Sequence, residues 1–313
     1  MEQSSTTKGR FAPSPSGRMH LGNVFTAFVS WLSARSSGRK WVLRIEDLDP
    51  QRSKKEFARL IEDDLLWLGL TWDEGGLDDK GSSAPYSQSL RHDIYERYFK
   101  TLEEQRLLYP CTCRRADILA TQAPHQSDGR VIYAGTCRPC PAPPFPPLAD
   151  MPQTVRLYVP DETISFTDKV YGEQHSNLRE DCGDFILRRA DGAWAYQLAV
   201  VVDDGLMGIT EVVRGNDLLL STAQQLYLYR LLELPAPQFA HLPLICNAEG
   251  RRLSKRDSSA SMEEIRKTHT PEQVIGKLAA LAGIIPRPEP CHPSDLINLF
   301  SWDKIPKAPS III

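Results

Sequence analysis

A histidine, a glycine and an asparagine stand where a predicted helix begins. His20, Gly22 and Asn23 follow the segment Arg10–Gly17, which starts with strand-forming residues and ends in a Pro/Ser/Gly turn. Apolar residues at helical spacing predict a helix over Val24–Ala34. A strand, a tight turn and a helix N-terminus expose backbone N–H groups that bind phosphate, while Gly22 permits close approach and His20 supplies a side-chain donor. The pattern therefore predicts a phosphate site.

A basic segment much further along the chain is the second candidate for phosphate chemistry. Arg251–Arg256 has the sequence Arg-Arg-Leu-Ser-Lys-Arg, in which Ser254 and Lys255 could bind the same phosphates. Taken alone, a histidine before a glycine is commonly a turn residue, and a basic hexamer is commonly a solvated surface loop. The two segments together give the stronger indication, because both would serve one anionic ligand.

Carboxylates follow the predicted buried strand Trp41–Ile45. Glu46, Asp47 and Asp49 come directly after it. Ligands of open α/β sheets bind outside the carboxyl ends of the strands, so these side chains are candidates for ligand binding. Asp47 and Asp49 could instead cap the next helix.

Three cysteines have a spacing that suits a metal ion. Cys111 and Cys113 lie one residue apart, and Cys137 follows about two dozen residues later. Their thiolates would give zinc three of its four tetrahedral ligands. Cys140 completes a Cys-x-x-Cys pair with Cys137 and is one candidate for the fourth ligand; His125 is another. The alternative is a set of reduced cysteines without metal.

Strands and helices alternate near the start of the chain, which predicts a parallel sheet with helices packed on it. We expect an α/β fold whose Rossmann-type nucleotide-binding domain is formed by residues 1–80 and 186–240. Residues 81–185 are predicted to be an inserted α+β zinc-binding subdomain. Residues 241–313 are predicted to be a short helical C-terminal domain that also contains the basic segment. A strand hairpin over Phe185–Asp204 is expected to return the chain to the main sheet.

The composition is that of an ordinary globular protein, with 41% hydrophobic and 25% charged residues in 313. The net charge of −3 gives no global basic signature, so an RNA partner would need a local basic surface. No apolar run approaches the roughly 18 residues of a membrane helix, and the polar N-terminus does not resemble a signal peptide. The seven cysteines are an odd number and cluster locally. We therefore expect a reduced, cytoplasmic monomer without a membrane partner.

The two phosphate-site candidates resemble the signature sequences of class I aminoacyl-tRNA synthetases. His-Leu-Gly-Asn at 20–23 resembles the HIGH element, and Arg-Leu-Ser-Lys-Arg at 252–256 resembles the KMSKS loop. The Phe-Ala-Pro-Ser-Pro-Ser-Gly segment at 11–17 resembles the glutamyl branch of that class. The resemblance implies that His20 and Lys255 are catalytic and that Mg²⁺ accompanies ATP. The residues it assigns to ATP are His20, Gly22, Asn23, Ser254 and Lys255.

The same resemblance implies which residues bind glutamate. A carboxylate suits a buried ammonium group, and a planar guanidinium suits a carboxylate. Arg214 could instead form a structural ion pair with Asp203 or Asp217, and Tyr196 could be a packed strand residue. The residues assigned to glutamate are Arg10, Ser14, Glu46, Tyr196 and Arg214.

The metal motif resembles that of glutamyl-queuosine tRNA(Asp) synthetases, in which Cys-x-Cys is followed by Tyr-x-x-x-Cys. In that family the tyrosine oxygen is the fourth zinc ligand. The resemblance therefore assigns one structural zinc ion to Cys111, Cys113, Tyr133 and Cys137, with Cys140 as the alternative fourth ligand.

Too little chain follows Lys255, in a sequence of 313 residues, for the anticodon-reading domain of a glutamyl-tRNA synthetase. The whole pattern thus resembles the glutamyl-queuosine enzymes, which form glutamyl-adenylate without tRNA and transfer glutamate to the queuosine base at the wobble position of tRNA(Asp). The implied partners are ATP, L-glutamate and queuosine-containing tRNA(Asp). Two alternatives remain, namely a truncated glutamyl-tRNA synthetase that charges tRNA(Glu) and a non-catalytic RNA-binding paralogue.

Overall fold

The structure is a computed structural model that describes residues 7–113, 132–149, 153–251, 253 and 261–313. The described helices are α1 (Leu21–Ser36), α2 (Lys55–Trp67), α3 (His92–Glu104), α4 (Tyr196–Leu206), α5 (Ser221–Leu231), α6 (Met262–Thr268) and α7 (Pro271–Leu281). The described strands are β1 (Lys8–Phe11), β2 (Lys40–Leu43), β3 (Glu74–Gly75), β4 (Leu108–Cys111), β5 (Thr154–Leu157), β6 (Thr163–Asp168), β7 (Gly172–Asn177), β8 (Phe185–Arg188), β9 (Ile209–Gly215), β10 (Gln238–Leu242), β11 (Leu244–Cys246) and β12 (Ser310–Ile312).

The main sheet orders its described strands as β3-β2-β1-β9-β10-β6-β7. β1 lies between β2 and β9, and these pairings are parallel, as is that of β9 with β10. β7 runs antiparallel to β6 at the edge. The predicted α/β fold with a parallel sheet is therefore confirmed, and the carboxyl ends of β1, β2 and β9 meet at one edge of the sheet, where such folds bind ligands.

Side chains alternate across the main sheet and enter two separate cores. Trp41 and Leu43 of β2 pack with residues of α1, α2 and α7. Val42 between them packs on the opposite face with residues of α3, α4 and α5, and so do Val212 of β9 and Phe239 of β10. Helices thus cover both faces of the sheet, as a buried parallel sheet requires.

The body of α1 anchors the helix end that carries the predicted phosphate site. Val24, Phe28 and Leu32 repeat every four residues and are fully buried at 0% exposure. Ser30, which is also buried, donates a hydrogen bond to the carbonyl of Arg10 at 3.0 Å. This contact ties α1 to β1 and fixes the N-terminus of the helix against the carboxyl end of that strand.

The largest difference from the sequence prediction is at α4, where a hairpin strand was expected. Tyr196 is the first residue of this helix and not a strand residue. Val200, Val201 and Val202 favour a strand by their β-branching, and all of them are buried, so no polar stripe marks a helical period. β8, just before α4, pairs with β5 in an antiparallel sheet with β4 and does not return to the main sheet. In α4, burial on all sides therefore outweighs the strand propensity of the three valines.

The hairpin of β6 and β7 lies within the range predicted as an insertion, yet it extends the main sheet. Asp168 at the end of β6 pairs with Phe239 of β10. β4, β5 and β8 form a sheet of their own. The division into residues 1–80 with 186–240, 81–185 and 241–313 stays a prediction.

The last described stretch contains α6, α7 and a short helical segment at Pro293–Leu299. It ends in β12, which pairs in parallel with β11. β11 therefore has a neighbour that the sequence did not indicate. Among the described helices, none combines the length and apolarity needed to cross a membrane.

Candidate active site

A cavity of about 480 Å³ opens at the carboxyl ends of β1 and β9, beside the N-terminus of α1. Its lining includes every described residue that the sequence assigned to ATP or glutamate: Arg10, Ser14, His20, Gly22, Asn23, Glu46, Tyr196 and Arg214. Ser254 and Lys255 lie outside the described residues. The size and the convergence of polar groups are those of a small-molecule site.

His20 caps α1 with its own ring. Its Nδ1 accepts a hydrogen bond from the Gly22 N–H at 3.1 Å, and its backbone N–H donates to Asn23 Oδ1 at 3.2 Å. Because Nδ1 is an acceptor, a neutral ring carries its proton on Nε2, which makes that nitrogen a donor. A Cβ added at Gly22 would lie 3.1 Å from the His20 ring, so a larger residue would require the ring to shift by a few tenths of an ångström.

The described residues on either side of the basic segment lie next to the cavity wall. The Leu253 N–H donates to the carbonyl of Ile245 at 3.1 Å, and Ile245 lines the cavity. Ser261 pairs as an isolated bridge with His20, and the Met262 N–H donates to the carbonyl of Met19 at 2.9 Å. The flanks of the segment that contains Lys255 are thus fixed beside the helix cap.

Two arginines and two carboxylates form a buried network on one side of the cavity. Arg44 donates to Asp204 Oδ1 at 2.6 Å and to Glu46 Oε1 at 3.1 Å. Arg10 contacts the same aspartate more loosely, with Nε–Oδ1 and Nη2–Oδ2 both at 3.4 Å. Burial raises the pKa of Glu46, and the opposing charges of Arg44 and Arg10 do not cancel this effect. At Asp204 burial also acts to raise the pKa, but the two arginines lower it below its usual value.

Arg214 is buried, with 4% exposure, and its hydrogen-bond partners are neutral. Its Nη1 donates to Gln225 Oε1 at 2.7 Å, and its Nη2 donates to Thr222 Oγ1 at 2.9 Å and to the Leu218 carbonyl at 3.3 Å. Its Nε donates to His241 Nε2 at 3.0 Å. Burial lowers the pKa of Arg214, which is the signature of a guanidinium that lacks a close anion.

The alternative role for Arg214, a structural ion pair with Asp203 or Asp217, is not found among the described contacts. Asp203 instead accepts from Arg91 Nε at 2.6 Å and from the Tyr95 hydroxyl at 2.8 Å. The charge of Arg214 is therefore available to a ligand carboxylate.

Tyr196 begins α4 at the cavity, beside Glu46. Burial raises the pKa of Tyr196, and the nearby Glu46 carboxylate raises it further. The hydroxyl is therefore protonated and can donate a hydrogen bond to a ligand. The helical position of Tyr196 corrects the predicted strand but leaves the residue in the cavity.

The cysteine cluster lies apart from the cavity, between β4 and the segment around Tyr133. The sulfur atoms of Cys111, Cys113 and Cys137 all lie within 4.8 Å of one another. The Tyr133 hydroxyl is 3.6 Å from Cys111 Sγ and 3.9 Å from Cys113 Sγ, and it accepts from the Cys137 N–H at 2.6 Å. Burial acts to raise the pKa of Cys137, but hydrogen bonds from Thr112 and Tyr133 lower it to about 6. A thiolate and a phenol oxygen at this spacing fit a tetrahedral metal ion.

The two other candidates for the fourth ligand have different outcomes. Cys140 is exposed and does not belong to the cluster of Cys111, Cys113 and Cys137 in the described part of the chain. His125 lies outside the described residues. Tyr133 is thus the group that the structure brings to the three sulfur atoms.

Two residues behind the cavity lining, Arg44 and His241, were missed by sequence reasoning. Arg44 connects Glu46 to Asp204, and His241 contacts Arg214. The available signal was strand alternation, since each stands two residues after an apolar residue on the same face.

The family model for the catalytic domain of class I tRNA synthetases (E and Q) matches residues 6–312. A glutamyl-Q tRNA(Asp) synthetase of Symbiobacterium thermophilum is 47% identical over 307 residues, which cover 96% of this chain and 94% of that protein. A glutamyl-Q tRNA(Asp) synthetase of Nitratidesulfovibrio vulgaris is 43% identical over 308 residues, or 97% of this chain and 95% of that protein.

A similar solved structure is the glutamate tRNA ligase of Elizabethkingia meningosepticum in complex with its amino acid. It superposes with a TM-score of 0.80 at 30% identity, over 97% of this chain and 66% of the ligase. The shared fold therefore extends over nearly all of the present chain and over about two thirds of the ligase.

Proposed function

The chain belongs to the glutamyl-Q tRNA(Asp) synthetase family of the class I tRNA synthetases, and on that premise we propose that it activates L-glutamate with ATP and transfers the glutamyl group to the queuosine base of tRNA(Asp). In the first step the α-carboxylate of glutamate attacks the α-phosphorus of ATP, pyrophosphate leaves and glutamyl-adenylate forms. In the second step a hydroxyl of the cyclopentene ring of queuosine attacks the acyl carbon, and AMP leaves.

The observation that carries the proposal is the Arg214 guanidinium, which lines the cavity, is buried and has only neutral hydrogen-bond partners among the described contacts. Arg10 also lines the cavity, and both of its contacts to Asp204 are long at 3.4 Å. L-glutamate offers two carboxylates to these two guanidiniums and an ammonium group to the Glu46 carboxylate. Glutamine is neutral and would leave a buried guanidinium without an anion, which is costly.

Within this proposal each group of the substrate has a partner of matching charge. The Glu46 carboxylate binds the ammonium group of the substrate. Arg44 donates a hydrogen bond to Glu46 Oε1 and so holds this carboxylate in place. Arg214 binds the side-chain carboxylate, and Tyr196 and Ser14 donate hydrogen bonds to the amino acid. Arg10, whose contacts to Asp204 are long at 3.4 Å, retains capacity for the remaining carboxylate.

ATP binds at the other end of the cavity. Backbone N–H groups at the start of α1, with His20, Gly22 and Asn23, hold its phosphates. Lys255 and Ser254 are proposed to close over the phosphates, since the flanking residues Leu253 and Ser261 are fixed beside this end of the cavity. Mg²⁺ enters with ATP and offsets phosphate charge. Positioning and charge stabilisation account for the acceleration, with no covalent intermediate on the protein.

A zinc ion bound by Cys111, Cys113, Cys137 and Tyr133 is proposed as a structural element. When bound, it would join β4 to the segment around Tyr133 and take no part in the chemistry of glutamate activation. The tRNA is proposed to bind as an anticodon loop, whose unpaired bases can be turned into a pocket. We also propose that the protein acts as a monomer in the cytoplasm, where its substrates are found.

Two assays test the function. In ATP–pyrophosphate exchange with glutamate and no tRNA, we expect glutamate-dependent exchange; its absence would exclude catalysis of the first step and favour an RNA-binding paralogue. In the second assay, labelled glutamate is offered to queuosine-containing tRNA(Asp), to tRNA(Asp) without queuosine and to tRNA(Glu). We expect label only in the first. Label in tRNA(Glu) would instead assign the chain to the charging of that tRNA.

A further inference from the structure

A buried histidine–aspartate pair stands directly behind Arg214. His241, on β10, and Asp168, at the end of β6, are 0% and 1% exposed. The His241 Nδ1 lies 2.7 Å from Asp168 Oδ2, and its Nε2 lies 3.0 Å from Arg214 Nε. The pair therefore connects the arginine to the hairpin of β6 and β7.

The hydrogen-bond directions in this chain of contacts follow from the donors and acceptors. Arg214 Nε can only donate, so His241 Nε2 must be the acceptor. The Asp168 carboxylate also accepts from the backbone N–H groups of Val170 and Tyr171, each at 3.0 Å, so it is an ionised acceptor and His241 Nδ1 carries the proton. Only one tautomer of neutral histidine satisfies both contacts.

The neutral state of the histidine agrees with its surroundings. Burial lowers the pKa of His241 to about 4; the Asp168 carboxylate opposes this effect, and the charge of Arg214 adds to it. Asp217 acts in the same direction as Asp168. At neutral pH the imidazole is thus an acceptor without charge, which orients Arg214 without cancelling its positive charge.

We propose that His241, held in one tautomer by Asp168, is a positioning residue that fixes the guanidinium of Arg214 for the side-chain carboxylate of glutamate. The inference rests on the proposed function, in which Arg214 binds that carboxylate. Gln225 and Thr222 hold Nη1 and Nη2, and His241 holds Nε, so the histidine completes the set that defines the plane of the guanidinium.

Two substitutions at position 241 separate the contacts of the histidine. Asn places an amide near the Nδ1 position, so His241→Asn keeps a donor for Asp168 and loses the acceptor for Arg214. Gln reaches the Nε2 position, so His241→Gln keeps an acceptor for Arg214 and loses the partner of Asp168. Both variants remove a similar amount of ring volume, which makes each the control for the other.

The readout is the KM for glutamate and for ATP in ATP–pyrophosphate exchange. We expect His241→Asn to raise the KM for glutamate by about 10- to 100-fold, the loss typical of one hydrogen bond to a charged group, with the KM for ATP unchanged. For His241→Gln we expect a rise of less than about 5-fold. Equal effects of the two variants, or a parallel rise in the KM for ATP, would show a merely structural role and overturn the inference.

Arg214→Gln distinguishes this inference from the proposed function. If Arg214→Gln leaves glutamate activation intact, the role proposed for Arg214 fails and the inference fails with it, whereas the absence of glutamate-dependent exchange in the unaltered protein would overturn the proposed function. If Arg214→Gln abolishes activation while His241→Asn matches the wild type, only the inference fails. Should both His241 variants unfold, ¹⁵N NMR of the histidines in the unaltered protein decides: a proton on Nδ1 of His241 supports the inference, and a proton on Nε2 contradicts it.

Discussion

Single polar residues at the carboxyl ends of the strands line or support the cavity. Each polar residue in question stands two positions after an apolar residue that enters the second core, as in the pairs Val42 and Arg44, Val212 and Arg214, and Phe239 and His241. The two-residue period of a strand therefore turns the arginines and the histidine toward the face covered by α4 and α5. Residue types could be predicted from motifs, but the partners could not, because Asp204 and Asp168 are distant in sequence.

Removing the charge of Arg44 should destabilise the protein. Arg44→Met leaves Glu46 and Asp204 without their shared cation in a buried place, for which we expect a loss of about 3–5 kcal/mol in the free energy of unfolding. The matched control is Arg52→Met, since the Arg52 side chain is 80% exposed and its change should stay within about 0.5 kcal/mol. Chemical denaturation measures both. Similar values for the two variants would contradict the buried network.

The raised pKa of Glu46 predicts a pH dependence of glutamate use. A carboxyl with a raised pKa is protonated over a wider acidic range, so the free enzyme loses its partner for the ammonium as the pH falls. We expect kcat/KM for glutamate to fall with pH at values above the ordinary glutamate range. Glu46→Gln should lower kcat/KM by about 10- to 100-fold and remove this limb of the profile. A variant that keeps the same limb would assign the titration to another group.

Elements with a clear apolar period could be predicted from the sequence, and those without one could not. α1 was expected at Val24–Ala34 and is observed at Leu21–Ser36, so its bounds agree within a few residues. α4 was mistaken for a strand because its valines are buried on every side. Tyr196 nevertheless lies in the cavity lining, as the first residue of this helix.

The cap of α1 allows structural and catalytic roles of His20 to be separated. Asparagine is a good N-cap residue, so His20→Asn should keep the stability of the helix while His20→Ala loses about 1 kcal/mol. Both should lower the rate of adenylate formation by about 10²- to 10³-fold, because both lack the imidazole donor for phosphate. Thermal unfolding and pyrophosphate exchange on the same samples test this. Activity that follows stability across the two variants would reduce His20 to a cap.

At the scale of the whole molecule, the cysteine cluster connects segments that the sequence separates. We expect Cys113→Ser to abolish the binding of about one zinc ion per chain and to lower the melting temperature, because structural zinc contributes directly to folding. Cys140→Ser is the matched control, since Cys140 is exposed and outside the cluster. The zinc content of both variants, measured by mass spectrometry, tests this prediction. Zinc loss in Cys140→Ser would make Cys140 a ligand.

The order of the strands was the least predictable property of the molecule. The alternation of strands and helices indicates a parallel sheet, but nothing local in β6 and β7 indicates that they join its edge. In the part of the chain that the structure describes, the strand register of β6 with β10 is the one pairing of Asp168 with Phe239. Such long-range contacts are decided by the completed core, which no short window of sequence contains.

The position of β1 between β2 and β9 has a consequence for the synthesis of this protein on the ribosome. Lys8 and Ile209 are partners in the sheet, so the first strand waits for some two hundred codons before its second neighbour is made. At roughly 5–20 residues per second, that interval is on the order of 10–40 s. Throughout it, one border of the nascent β1–β2 pair has unmet N–H and C=O groups, the kind of surface that promotes aggregation. Production of this protein should therefore respond to chaperones that act on nascent chains and to the speed of translation.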